Sequence, residues 1–334
     1  MVKIGFIGTG GVANNHSSAV GLTDGAVLSA VYDVNVEQSA KMAEKTGAQL
    51  CGSVEELYDS CDAVYILTPP HTHREIAVRS IEAGKHVMCE KPIAISLEDG
   101  RAITDAASQT DLAFMVAFSM RYRESYQQLK SIYDSGVLGK PLTFWYQRMF
   151  GGGGYNPNNW RYKKESQSGM SIESLSHQID TVRWMLGEVD TVYASTVASF
   201  PELPEVDNNV HTVFTMKNGT VVTIHVSWSS FLTFNTTGIA GTTGTVRICG
   251  NHGLDHEHMY LRTEKSEAEE VIDLSEKYDA HVFSNECRGF LNLIHGKTGS
   301  DHGPEAPRAE DGLRALEISH AMLTSGRENR VVKV

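Results

Sequence analysis

Along the first third of the chain, short apolar runs alternate with longer segments that are apolar on one side only. Val2–Ile7, Val27–Tyr32, Ala63–Leu67, His86–Cys89 and Leu112–Ala117 are rich in Val, Ile, Leu or Ala, the pattern of strands buried on both faces. The stretches between them carry helix signals. Ser53 with Glu56 and Thr72 with Glu75 fit the S/T-x-x-E capping box, and Gly84 after Ile81-Glu82-Ala83 marks a stop. Strands alternating with helices predict βαβ units and a doubly wound parallel sheet over 1–120. Beyond about Arg121 the rhythm changes. Tyr122–Ser135 reads as a helix, and Leu142–Arg148, Asp190–Ser199, Asn208–Met216, Thr220–Ser229, Asn235–Ala240 and Thr245–Gly250 read as strands. Asn218-Gly219 joins two of them as a hairpin. Phe283–His295 and Glu310–Thr324 return to helical spacing. Residues 121–334 are therefore expected to form an α+β domain on a mostly antiparallel sheet, in a chain of α/β class overall.

With 334 residues, two cores are in reach. The net charge of −12 argues against nucleic acid or an anionic membrane as partner. Five scattered cysteines without a CxxC pair argue against a disulfide framework or structural zinc. The first residues run straight into a strand and a glycine turn, and no apolar run is long enough to span a bilayer, so a cytoplasmic protein is expected.

Gly8-Thr9-Gly10-Gly11-Val12-Ala13 is a G-x-G-x-x-A sequence that follows an apolar strand and opens a helix. Gly8 permits the turn, Gly10 lets backbone approach a pyrophosphate, and Ala13 lets the helix pack on the sheet. The amides and the helix dipole then face phosphate. Asp33, 20 residues past Ala13 at the end of the next strand, suits a ribose 2′-hydroxyl and would repel a 2′-phosphate, favouring NAD over NADP.

Thr68-Pro69-Pro70-His71 lies just past a strand, at the carboxyl edge where ligands bind in such sheets, and Glu90-Lys91-Pro92 lies at the same edge of the next strand. A lysine there can stabilise the alkoxide that develops as hydride leaves carbon. It can equally be a loop lysine covering the strand end. In Ser168–Asp180, helical spacing puts Glu173, His177 and Asp180 on one face. A histidine beside a carboxylate is suited to take a hydroxyl proton. The same spacing also fits ordinary surface charge pairs.

Taken together, GTGGVA, TPPHTH (Thr68 to His73), the EKP triplet, SGMSIESLSHQID and the closing AEDGLRALEISHAMLTSGRENRVVKV resemble the glucose–fructose oxidoreductase/inositol dehydrogenase (Gfo/Idh/MocA) family over nearly the whole length. The resemblance implies a Rossmann domain, and a C-terminal α+β domain whose open sheet packs on another subunit in a homodimer or homotetramer. It assigns Lys91 as the catalytic lysine and His177 as the acid/base histidine. Glu173 stands where many members have aspartate, and Asp180 where one lines the substrate or orients the histidine. Leu175 replaces a common glycine. Arg121, Tyr155, Trp160 and Arg161 become candidate substrate contacts, and His73 and Glu90 join the cofactor set.

The expected activity is NAD-dependent oxidation of a ring hydroxyl of a sugar, anhydrosugar or cyclitol. Rivals within the same resemblance are glycoside hydrolysis through bound NAD, a cofactor-holding regulator without turnover, and ketosugar reduction with NADPH. His252, His256 and His258 lie close together with Asp255 and Glu257, but a plain exposed loop is favoured there and no metal is expected.

Overall fold

The computed structural model of the chain describes residues 1–151, 169–203, 206–251, 255–274, 281–297 and 303–334. It divides into two compact units, Met1–Tyr122 with Ala280–Leu316, and Arg123–Asp279 with Glu317–Val334.

In the first unit the chain runs β1 (Val2–Ile7), α1 (Gly11–Gly21), β2 (Ala26–Tyr32), α2 (Val36–Thr46), β3 (Gln49–Leu50), α3 (Val54–Asp59), β4 (Ala63–Ile66), α4 (His73–Glu82), β5 (His86–Cys89), α5 (Leu97–Ser108) and β6 (Phe114–Val116). The strands form one parallel sheet in the order β3-β2-β1-β4-β5-β6. Ile4, Phe6, Val64, Tyr65 and Ile66 are buried outright, as strands covered on both faces require. Because β1 and β4 are neighbours although β2 and β3 lie between them in sequence, the winding reverses there. The turns after β1, β4 and β5 leave the same edge of the sheet. That is where a doubly wound sheet binds its ligand.

Ser53 caps α3 by accepting the Glu56 amide at 3.2 Å, and Glu56 accepts the Gly52 amide at 2.8 Å, close to the box its sequence suggests. Thr72 does not cap α4. A 3₁₀ turn, Pro70–Thr72, feeds directly into that helix, and the Thr72 hydroxyl bonds Thr68 Oγ1 and the Pro69 carbonyl instead. Later in the chain α8 (Val282–Ile294) packs on α1, and its Cys287, Phe290 and Leu291 join the core of Val2, Ile4, Phe6 and Tyr65.

The second unit contains α6 (Glu124–Asp134), β7 (Pro141–Gly151), α7 (Ser176–Leu186), β8 (Val189–Val197), β9 (Asn209–Met216), β10 (Val221–Ser230), β11 (Phe234–Gly241), β12 (Gly244–Gly250), β13 (His258–Thr263), β14 (Glu270–Asp273) and β15 (Val332–Lys333). α9 (Ala309–Glu328) precedes that last strand. Among the described residues the strands form one sheet, β14-β13-β12-β11-β7-β10-β9-β8-β15, antiparallel except where β7 and β10 run side by side in parallel. The Asn218-Gly219 turn joins β9 to β10, with Gly219 at φ 87°. One face is apolar and covered, with Val210, Phe214, Val222 and Ile224 buried; the alternate positions Val213, His211 and Val221 are exposed or half-exposed.

Candidate functional site

Gly8 turns the chain at φ 97°, and a Cβ there would stand 2.8 Å from the Leu67 backbone. Only glycine fits. Gly10 precedes α1 without any capping side chain, no acidic residue lies in the first turn, and a Cβ at Gly10 or Gly11 would meet nothing within 4 Å. An uncapped, sterically open helix start with its dipole facing outward fits a pyrophosphate.

Asp33 accepts the Thr9 amide at 2.6 Å and the Thr9 hydroxyl at 3.1 Å on Oδ2, and the Asn35 amide at 2.8 Å on Oδ1. The carboxylate therefore ties down the glycine turn itself. Its position at the end of β2 keeps it at the ligand edge of the sheet.

Behind the next strands, Glu90 Oε2 accepts the Lys91 amide at 3.1 Å, and Glu90 Oε1 lies 3.0 Å from His16 Nε2. The Glu90 carboxyl resists burial because His16 and Lys91 outweigh desolvation, and it titrates below its ordinary value. Lys91 itself is half-exposed and the Lys91–Pro92 bond is cis.

His73 is placed differently from a cofactor contact. It is fully buried, with Nε2 2.9 Å from the Thr68 carbonyl and Nδ1 3.0 Å from the Pro92 carbonyl, so it ties the two loops together from beneath. Burial holds its imidazole below the ordinary histidine range. His71 is exposed, Thr68 and Pro69 half-exposed and Pro70 buried. Arg121 is likewise a strut: it is buried, donates to the Glu305 carbonyl at 3.1 Å and lies 3.4 Å from Asp311.

In the second unit the single helix expected over Glu173–Asp180 is divided. Met170–Ser174 forms a π turn closed by Leu175 N–H to the Met170 carbonyl, and α7 begins only at Ser176. The start of the π turn is held from 36 residues beyond Ser171: Asp207 accepts the Ser171 amide at 2.9 Å and hydroxyl at 2.6 Å, and its carbonyl accepts the Met170 amide at 2.8 Å. Burial raises the Asp207 carboxyl above its ordinary value, although these bonds oppose the rise. Leu175 is buried, which explains an apolar side chain at this break. Glu173 and Asp180 are buried as well, whereas His177 is half-exposed. Tyr155, Trp160 and Arg161, together with Gly152–Gly154, lie outside the described residues.

Gly169, just before the π turn, sits at φ 62°, ψ −178°, a region that essentially only glycine occupies. A Cβ there would fall 2.0 Å from Asp207 Oδ1. Gly169→Ala is expected to lower stability by about 2–4 kcal/mol, strain and displacement of Asp207 together, read as a fall in Tm.

His256 does not lie in an exposed loop; His252, the first histidine of that cluster, falls outside the described residues. His256 is buried with Nδ1 2.9 Å from Ser125 Oγ and its ring against Tyr126, and His258 opens β13. Among the described residues no group of three or more His, Cys, Asp or Glu could hold a metal. Burial, with Arg123 and Arg148 nearby, lowers the His256 imidazole to about 3. The unfolded chain gains this proton near the ordinary histidine value while the folded chain does not, so stability falls as pH drops from about 6.5 towards 3. His256→Asn, whose amide can still meet Ser125, is expected to flatten that acid limb by an amount on the order of a few kcal/mol in pH-dependent unfolding.

Residues 2–118 match the GFO/IDH/MocA model described as an oxidoreductase family with an NAD-binding Rossmann fold, and residues 126–247 match the GFO/IDH/MocA C-terminal domain. The chain belongs to the GFO/IDH/MocA oxidoreductase family, and its first domain is the family's NAD-binding Rossmann domain. It is 25% identical to myo-inositol 2-dehydrogenase of Thermotoga maritima over 100% of this chain and 98% of that one. It is 28% identical to levoglucosan dehydrogenase of Pseudarthrobacter phenanthrenivorans over 73% of each. A solved levoglucosan dehydrogenase complex with NADH and L-sorbose superposes with a TM-score of 0.90 at 23% identity, covering 100% of this chain and 98% of that one, and speaks for the fold. No helix among the described residues is long and apolar enough to cross a membrane.

The sequence reading missed His16 and Asp207. His16 did carry a signal, since it recurs with Ala13 and Val20 on the buried side of α1. Asp207 carried none, because its partners are local to another segment.

Proposed function

We propose that this protein oxidises a ring hydroxyl of a sugar, anhydrosugar or cyclitol with NAD. The observation that supports it best is the convergence at one sheet edge of the open, uncapped glycine turn, Asp33 beside it, and Lys91 on the loop after β5. NAD, when bound, supplies the hydride acceptor. The remaining work falls to the chain. Gly8 to Val12 hold the pyrophosphate and Asp33 the ribose. The loop of Thr68, Pro69, Pro70 and His71 borders the same edge, and His73 sets that loop's height from below. Lys91 stabilises the negative charge that grows on the substrate oxygen. His177 takes the hydroxyl proton, with Glu173 orienting it and Asp180 supporting the same helix. Tyr155, Trp160 and Arg161 are substrate contacts in this reading. The exposed face of the large sheet, with Val213 and Val221, seats a second copy in a homodimer or homotetramer.

The family relatives that act on myo-inositol and levoglucosan define the panel to try. Purified protein with NAD or NADP and a series of cyclitols, monosaccharides and anhydrosugars should form reduced nicotinamide with at least one, and faster with NAD. Tight NAD binding with no reduction by any of them would replace this reading by hydrolysis or regulation.

A further inference from the structure

Three side chains meet behind the Lys91 loop. His16 lies on the buried side of α1, five residues after Gly11, and reaches Glu90 Oε1 at 3.0 Å. Glu90 Oε2 accepts the Lys91 amide, and the Lys91 ammonium favours the Glu90 charge. One carboxylate thus links the helix that begins at the glycine turn to the lysine assigned to catalysis. α8 closes the cluster from the other side. The Phe283 ring meets the His16 ring edge-on with centroids 5.0 Å apart, and Glu286 follows one turn later on the same face.

Glu286 is fully buried, and neither carboxyl oxygen has a hydrogen-bond partner. An ionised carboxylate without partners cannot persist in such surroundings, and the neighbouring Glu90 charge adds to the penalty. Burial first, and Glu90 second, push the Glu286 carboxyl well above its ordinary range. The other titratable groups that act on it are Tyr65 on β4 and Cys287, its neighbour on α8. Burial raises the Tyr65 and Cys287 protons too, so both stay uncharged at neutral pH.

We propose that His16 is a positioning residue for Lys91 that acts through Glu90, whose carboxylate it anchors, and that Glu286, buried on α8 without a hydrogen-bond partner, is kept as a neutral acid so that Glu90 carries the charge at this point. The cluster couples the cofactor turn to the lysine. Its value for turnover rests on the catalytic role proposed for Lys91, but its existence does not.

The test uses the full chain without NAD and then with it. The infrared spectrum at pH 7 should contain a protonated-carboxyl stretch that disappears in Glu286→Gln. The rate at which an amine-reactive ester acylates Lys91, followed by peptide mass spectrometry, should change roughly tenfold in His16→Ala, because the Glu90 carboxylate beside the lysine loses a charge-assisted hydrogen bond and with it its fixed place. Other lysines should label as before. His16→Gln, whose amide can still donate to Glu90, should stay near the unsubstituted rate. An infrared spectrum unchanged in Glu286→Gln, or equal Lys91 labelling in His16→Ala, overturns the proposal. If His16→Ala fails to fold, Lys91 labelling in Glu90→Gln, which removes the carboxylate charge, decides in its place. Altered labelling with unaltered turnover upholds the positioning and removes the catalytic role of Lys91.

Discussion

Lys91→Ala is expected to lower turnover at least about a hundredfold, the size measured when an enzyme loses one preorganised donor to a developing oxyanion. The loss should fall on kcat, since the cation is needed most when charge has grown on the substrate oxygen. NAD affinity should change by less than about threefold, because the proposed reading gives the pyrophosphate and ribose to the glycine turn and Asp33 rather than to this side chain. Fluorescence titration with NADH separates the two effects. Unchanged turnover in the variant removes Lys91 from the chemistry. A large loss of cofactor affinity assigns it instead to binding.

His177→Ala carries the second large effect. Removing a general base costs roughly 10²- to 10⁴-fold, and the deficit should shrink as pH rises, because hydroxide can replace the missing base. His177 is half-exposed while its neighbours Gln178, Ile179 and Asp180 are buried, so truncation should leave the helix intact. The melting temperature is the control. Gly169→Ala, which acts on the same helix through Asp207, should lose stability instead. A His177→Ala variant with unaltered turnover and an unaltered pH profile contradicts the acid/base role.

The strands of the first sheet were legible because both their faces are buried, which leaves an uninterrupted apolar run such as Ala63–Ile66. The edge strands were not. Gln49–Leu50 is two exposed residues, and Glu270–Asp273 is largely exposed; each exists because a neighbouring strand offers it hydrogen bonds. The site shows the same division. Gly8, Gly10 and Asp33 follow from local turn chemistry, and the structure keeps them together. The helix over Glu173–Asp180 looked continuous because periodicity sees only neighbours in sequence, whereas the segment opens with a π turn whose first amides, at Met170 and Ser171, are capped by Asp207 from a distant segment. His73 sits in a motif beside the ligand edge, yet it points inward between the Thr68 and Pro92 carbonyls, to one of which its neutral ring donates. A motif records that a residue is needed at a place, not which way its side chain turns.

Oxidation at a ring carbon is tested most directly by following a labelled hydrogen. The best substrate from the polyol panel, deuterated at its ring carbons, should deliver one deuterium to the nicotinamide of NAD, with a matching ketone in the product, and Lys91→Ala should slow that transfer. Recovery of unlabelled NAD beside a cleaved glycoside, or beside unreacted polyol, contradicts it.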